Sequence, residues 1–282
     1  MNKRQALTTH QLHREFEAPA QLRDAIICFW YDSRDYGDEP SVFEVIPDGS
    51  AEIIFHFGSG CSIIHNGQQE LLPSPFMVGL LNQPVSFAAK NCLEIIGVRC
   101  FPWTVFDVLG LPSDKSRVRL FEHPVAGLQP VLKECLQRGK VEDAITLLQQ
   151  YFTDARAHVN TDTLLHKAGE ALKKAGGTIQ VGQVAAAAHA TVRTLERKFR
   201  ESSGFTVKDV AGLMRFEQVR NHLWMHPQTG LAGLAVEMGY TDQAHLSREF
   251  KRYSGTTPAA FARKAKKERP LASTDFVAFV QA

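Results

Sequence analysis

The sequence predicts an α+β chain of two domains, β-rich first and all-helical second. Three observations predict it. Up to about residue 105, short apolar runs alternate with turn residues; after about residue 128, apolar residues fall three and four apart. Charge divides along the same line: residues 161–282 hold 18 Lys/Arg against 11 Asp/Glu, and residues 1–160 hold 14 against 19. Finally, the helical part carries one pattern twice, 51 positions apart: Leu195-Glu196-Arg197-Lys198-Phe199 and Leu246-Ser247-Arg248-Glu249-Phe250. Ser203-Gly204 matches Ser254-Gly255 and Thr206 matches Thr257, so one supersecondary unit is built twice.

At 282 residues the chain has room for about two domains, and a 44% hydrophobic content fits globular folding. A basic half beside an acidic half fits a nucleic-acid module joined to a module of another kind. No apolar run reaches the ~18 residues that span a bilayer. The start, Met1-Asn2-Lys3-Arg4, lacks the apolar stretch of a signal peptide. Five cysteines, an odd number with no Cys-x-x-Cys spacing, read as reduced thiols. A cytoplasmic protein is expected, with no membrane partner.

Taken in order, runs 42–47 and 51–57 are rich in Val, Ile and Phe and flank Asp48-Gly49-Ser50, which reads as a tight hairpin. Runs 61–65 and 68–72 flank Asn66-Gly67, a second hairpin signal. Runs 76–81, 85–89 and 93–101 complete six or seven short strands, as in a barrel or sandwich. Between 128 and 152 the apolar spacing marks two amphipathic helices parted by Gly139. They pack within the chain, capping the barrel, or form a dimer interface.

From 162 the chain reads as helices throughout. One covers 162–175 and ends at Gly176-Gly177. Thr178 is the expected N-cap of 179–188, Thr191 of 192–202 and Thr241 of 242–254. A long helix at 207–226 stops at Pro227, a short one covers 231–238, and a last begins near Pro258.

Each repeat therefore reads as helix, tight turn, capped helix. Ala185 and Ala235 allow close crossing, and His189-Ala190 and Gly239-Tyr240 make the turns. Leu and Phe four apart share one helix face, and the Arg between them points away from it. In a helix-turn-helix the second helix lies in the major groove with its N-terminal residues on base edges. The outward positions are Thr191, Arg193, Thr194 and Arg197 in the first copy, and Thr241, Asp242, Gln243, His245, Arg248 and Lys251 in the second. Arg reads guanine and Gln reads adenine through paired hydrogen bonds.

On these residues, 178–262 resembles the DNA-binding domain of the AraC/XylS transcriptional regulators. The second copy, from Leu234-Ala235-Val236-Glu237-Met238-Gly239-Tyr240-Thr241 through Phe250 and on to Ser254-Gly255-Thr256-Thr257-Pro258, is similar to that family's most recognisable stretch. Val207 departs from the pattern, which carries Pro there as Pro258 does in the second copy. The resemblance implies two recognition helices joined by the helix at 207–226, reading successive major grooves about one turn apart. It implies double-stranded DNA and RNA polymerase as partners, and an N-terminal domain for sensing or dimerisation. That domain is similar to the cupin-like barrels of many members. The expected division is 1–122 as a β-rich cupin-like sensor, 123–160 as a helical connector or dimerisation hairpin, 161–269 as the double helix-turn-helix domain and 270–282 as an apolar tail.

Residue type alone nominates Trp30, Phe55, Phe57, Arg99 and Trp103 as ligand-binding positions for a small-molecule effector. Arg99, a charge inside an apolar run, needs a carboxylate partner: a ligand, Glu44 or Glu52. His56 and His65 lack the His-x-His and Glu spacing of a metal cupin, so neither metal nor cofactor is expected. Gly-x-Ser-x-Gly is absent, Gly58-Ser59-Gly60 is not a phosphate loop, and Asp48 and Glu52 read as turn and strand residues. The chain is expected not to be an enzyme. Two rivals stand beside this reading: a methyl-accepting Cys repair domain on the same DNA module, and a cupin-type metabolite-modifying enzyme fused to it. In the tail, 264–269 is basic, and 276–280 is apolar and is expected to dock on the N-terminal domain or a sheet edge, or to fray.

Overall fold

The computed structural model describes residues 11–112, 116–156 and 163–268. The start of the helix expected at 162 and the apolar tail lie outside the described residues.

Among the described residues the first part holds ten strands: β1 (Gln11–Glu17), β2 (Ile26–Asp35), β3 (Ser41–Val45), β4 (Ala51–Gly58), β5 (Ser62–His65), β6 (Gln68–Leu71), β7 (Phe76–Val78), β8 (Val85–Ala89), β9 (Cys92–Cys100) and β10 (Val118–Arg119). They form two sheets, β1-β2-β9-β4-β7-β10 and β3-β8-β5-β6. Side chains from both sheets meet in one core, including Trp30, Ile54 and Ile95 from the larger and Phe43, Val85 and Phe87 from the smaller. The two sheets thus face each other without closing into the barrel that was expected.

Asn66-Gly67 joins β5 to β6 as predicted, with His65 opposite Gln68 and both turn residues at positive φ, +49° and +75°. Asp48-Gly49 does not make a hairpin. β3 pairs with β8, while β4 pairs with β9 and β7, so this turn carries the chain from one sheet to the other. Gly49 still has φ of +78°, the conformation for which glycine is suited.

The larger sheet is buried on both faces. Its outer face, with Phe29, Ile53, Phe55, Ile96 and Val98, is covered by α1 (Val105–Leu109), α2 (Gln129–Gln137) and α3 (Val141–Arg156). Leu132, Leu136, Ile145, Leu148 and Phe152 supply the covering stripe, so the connector packs within the chain. Gly139, at φ of +69°, parts α2 from α3 as expected.

The described residues of the second part form helices joined by turns: α4 (Thr163–Lys174), α5 (Val181–Ala187), α6 (Val192–Ser203), α7 (Val207–Met225), α8 (Leu231–Glu237), α9 (Gln243–Ser254) and α10 (Pro258–Glu268). Gly176 and Gly177, at φ of +55° and +74°, end α4. The cap of α5 is Gln180 rather than Thr178: Gln183 Oε1 accepts the Gln180 N–H at 3.3 Å, and the Thr178 hydroxyl donates back to Ala175 O at 2.7 Å. Among the described residues no helix is long and apolar enough to cross a membrane.

The two parts share a core. Leu80 and Trp103, from the β-rich part, pack with Leu172, Phe199 and Leu213 of the helices. Trp103 stacks on Phe101 at 5.2 Å, and Gly169 of α4 leaves room for its ring: a Cβ there would lie 2.3 Å from Cζ2.

Candidate nucleic-acid interface

Both helix-turn-helix units are built from the same bonds. In the first turn the Ala190 N–H donates to Ala185 O at 2.9 Å; in the second the Tyr240 N–H donates to Ala235 O at 2.8 Å. His189 (φ +52°) and Gly239 (φ +74°) take the left-handed position, which His tolerates less well than Gly. Thr191 Oγ1 accepts the Thr194 N–H at 3.1 Å and starts α6. Its counterpart 51 positions on is Asp242, whose Oδ1 accepts the His245 N–H at 2.7 Å and starts α9. The expected cap Thr241 instead sits with Oγ1 3.4 Å from His245 Nδ1. Both recognition helices end on a left-handed glycine, Gly204 and Gly255, each bonded to a carbonyl four residues back.

Burial then decides which face is offered. Leu195, Phe199, Leu246 and Phe250 are buried. Thr191, Arg193 and Arg197 are exposed and Thr194 is half-buried; Thr241, Asp242, Gln243, Arg248 and Lys251 are exposed and His245 is half-buried. All ten expected contact residues thus reach solvent on α6 and α9. Three have further duties: Thr191 and Asp242 cap their helices, and Arg197 is held by Glu201 at 2.8 and 3.0 Å. Reading from residue type missed Val192, which opens α6 at 46% exposure. Its signal was the repeat itself, because Val192 occupies the position of Gln243.

The helix between the units, α7, is capped reciprocally. The Asp209 N–H donates to Thr206 Oγ1 and the Thr206 N–H to Asp209 Oδ2, both at 3.1 Å. That box organises the start of the helix at Val207, where the second copy has Pro258. Phe216 of α7 packs on Phe250 and Tyr253 of α9 at 5.0 and 5.2 Å. Arg215 bonds Gly177 O at 2.8 Å and Glu249 of α9 at 3.3 Å, tying the second recognition helix to the linking helix.

The five expected ligand residues do not come together. Trp30 is buried between the sheets over Gly97, where a Cβ would lie 2.0 Å from the ring. Phe55 and Phe57 point to the opposite face of the same sheet, toward the connector helices. Trp103 belongs to the helical core. Arg99 meets Glu52 at 2.8 Å and Glu15 at 3.2 Å, with Asp48 at 3.9 Å, so its partners are protein carboxylates and Glu44 is not one of them. His56 points Nε2 at Leu72 O and Pro73 O, and burial holds its pKa below the ordinary histidine value. Among the described residues no group of three or more His, Cys, Asp or Glu is placed to hold a metal ion.

Comparison with known proteins matches residues 184–264 to a family described as a helix-turn-helix domain, and residues 14–119 to the domain of unknown function DUF6597. No curated protein matches the chain. Among solved structures, ToxT from Vibrio cholerae aligns over 83% of this chain and 98% of its own, at 9% identity and a TM-score of 0.45. Wild-type ToxT of Vibrio cholerae strain SCE256 with bound unsaturated fatty acid aligns over 92% and 96%, at 10% identity and 0.46. The DNA-binding domain of AdpA, a global transcriptional factor, in complex with a target DNA, aligns over 40% of this chain and all of its own, at 25% identity and 0.36. The chain thus carries a helix-turn-helix domain, with both of its units formed, behind a β-rich domain that matches the second family.

Proposed function

We propose that this chain is a sequence-specific transcription regulator that reads two successive major grooves, with α6 in one and α9 in the other. One observation carries the reading: two units with the same turn bonds, the same N-cap position and the same buried Leu/Phe pair expose their first-turn side chains to solvent. The 19-residue linking helix supports it, since 19 residues span about 28 Å, close to the ~34 Å between successive grooves. Arg197 and Arg248 suit guanine, Gln243 suits adenine, and Val192 suits a thymine methyl group. Arg193, Thr191, Thr194, Thr241, His245 and Lys251 border them and suit base or phosphate contacts.

In this reading residues 1–122 are the sensor, 123–160 its connector and 161–269 the reader. A small-molecule effector held by the sensor shifts how the two parts sit together, and so how well DNA or RNA polymerase is engaged. A homodimer would place two readers on one operator.

Selection of bound sites from a random DNA pool tests this, followed by affinity against salt on the winner. Two short blocks about ten base pairs apart are expected. A single block removes one helix from base reading. No enriched motif with a steep salt slope reduces the interaction to phosphate contact and refutes the proposal.

A further inference from the structure

We propose that Asp48 is a coupling residue, joining Arg99 inside the two-sheet body to Arg220 on the linking helix, so that changes in the body's polar interior reach the helix that spaces the two readers. The inference rests on the reading of α7 as that spacer.

The path is continuous. Arg99 Nε donates to Glu52 Oε1 at 2.8 Å and its NH1 to Glu15 Oε1 at 3.2 Å. Its NH2 is buried without a hydrogen-bond partner among the described residues and lies 3.9 Å from Asp48 Oδ2. That separation is too long for a hydrogen bond and short enough to become one. Asp48 is locked in its turn, since Oδ1 accepts the Ser50 N–H at 3.0 Å. The same turn is pressed on α7: a Cβ at Gly49 would lie 3.3 Å from Glu217 Oε2, and Arg220 NH1 donates to Pro47 O at 2.8 Å.

Arg220 is the unusual member, a guanidinium 1% exposed in the middle of a helix. It donates to Asn221 Oδ1 at 3.2 Å and stands 3.9 Å from Glu217. A buried charge is costly unless its partners hold, so α7 depends here on a turn from the other domain. The cluster is also unbalanced. Glu15, Asp48, Glu52 and Glu217 surround Arg99 and Arg220, which leaves two negative charges in excess if all are ionised. Burial relieves part of this by raising Glu52 and pushing Glu217 up to about 7. Trp103 and Leu80 already bind the two parts through apolar contact, so attachment alone does not require these charges.

Amide hydrogen exchange on the full chain tests the coupling without DNA. Asp48→Asn in the sensor turn is expected to speed exchange across residues 214–225 by about threefold or more, and Glu217→Gln to do the same across residues 46–52, since coupling is reciprocal. Asn at position 48 keeps an Oδ1 to accept the Ser50 N–H, so this variant removes the charge and leaves the turn bond. The proposal is overturned if each variant perturbs only its own segment. Should Asp48→Asn fail to fold, the response of residues 46–52 to Glu217→Gln decides alone. Loss of DNA reading would show instead in Arg197 and Arg248 variants, so the two failures are distinguishable.

Discussion

Replacing Arg248 by Ala isolates base reading from folding. Arg248 is exposed on α9, one turn into the helix, while Leu246 beside it is fully buried. A bidentate Arg–guanine contact is worth about 1–3 kcal/mol, so Arg248→Ala is expected to weaken specific binding by ~5- to 150-fold. Stability should move by no more than about 0.5 kcal/mol, as for other exposed positions. Arg197 sets the contrast. Its guanidinium is held by Glu201 at 2.8 and 3.0 Å in an exposed i,i+4 pair, worth about 0.3–0.5 kcal/mol. That pair must open before Arg197 can reach a base, so Arg197→Ala should cost about twofold less than Arg248→Ala. By the same arithmetic Glu201→Gln, which frees Arg197, should tighten binding by about twofold. The assay is a fluorescence anisotropy titration at fixed salt, on the selected duplex and its single-base variants. Wild-type affinity and base preference in Arg248→Ala, or weaker binding by Glu201→Gln, would refute the groove assignment. Leu246→Ala is the folding control and should cost about 2–5 kcal/mol of stability.

Three further outcomes follow from the packing and the charges. Gly169→Ala places a Cβ 2.3 Å from the Trp103 ring and should cost about 1–3 kcal/mol in denaturant unfolding; unchanged stability would mean the two parts do not meet there. Thr206→Ala removes the cap of α7 and should cost about 1 kcal/mol, and a neutral result would show that Val207 needs no compensation. Stability should fall as pH rises across two windows. Burial pulls the His13 imidazolium down, but Asp32 and Glu15 outweigh it and hold it at about 9, so the folded chain keeps a proton that the unfolded chain releases from 6.5 upward. Glu217, raised mainly by burial, likewise keeps a proton between 4.5 and about 7. His13→Gln should flatten the upper window and Glu217→Gln the lower, read by denaturant unfolding at pH 5, 7 and 9. A variant as steep as wild type would sink the corresponding assignment.

The repeat made the helix-turn-helix domain legible. A Leu and a Phe four apart, repeated with a Ser-Gly end, specify a buried stripe and its outward face without knowledge of any neighbour. The same register places Asp242 opposite Thr191, so the true cap of α9 was available from the alignment; choosing Thr241 followed residue type instead of position. In the β-rich part, type misled further. Phe55 and Phe57 look like pocket residues, yet strand alternation puts them on one face and Ile54 on the other, and only the placement of the connector says which face is which. Asp48-Gly49 carries a true turn signal, but a turn joins whatever strands follow it, and here they belong to different sheets.

The sequence by itself determined the order of elements, most of their ends, the doubled unit and its exposed first turns. All of these depend on residues within a few positions of one another, through backbone propensity, capping and periodicity. Tertiary structure decided the open pair of sheets, the carboxylates around Arg99, the burial of Trp103 among the helices and the seat of Arg220 on Pro47. That last contact joins positions 173 apart in the chain. Local periodicity carries no record of such a pairing, because it exists only once both domains have folded and buried the charge between them.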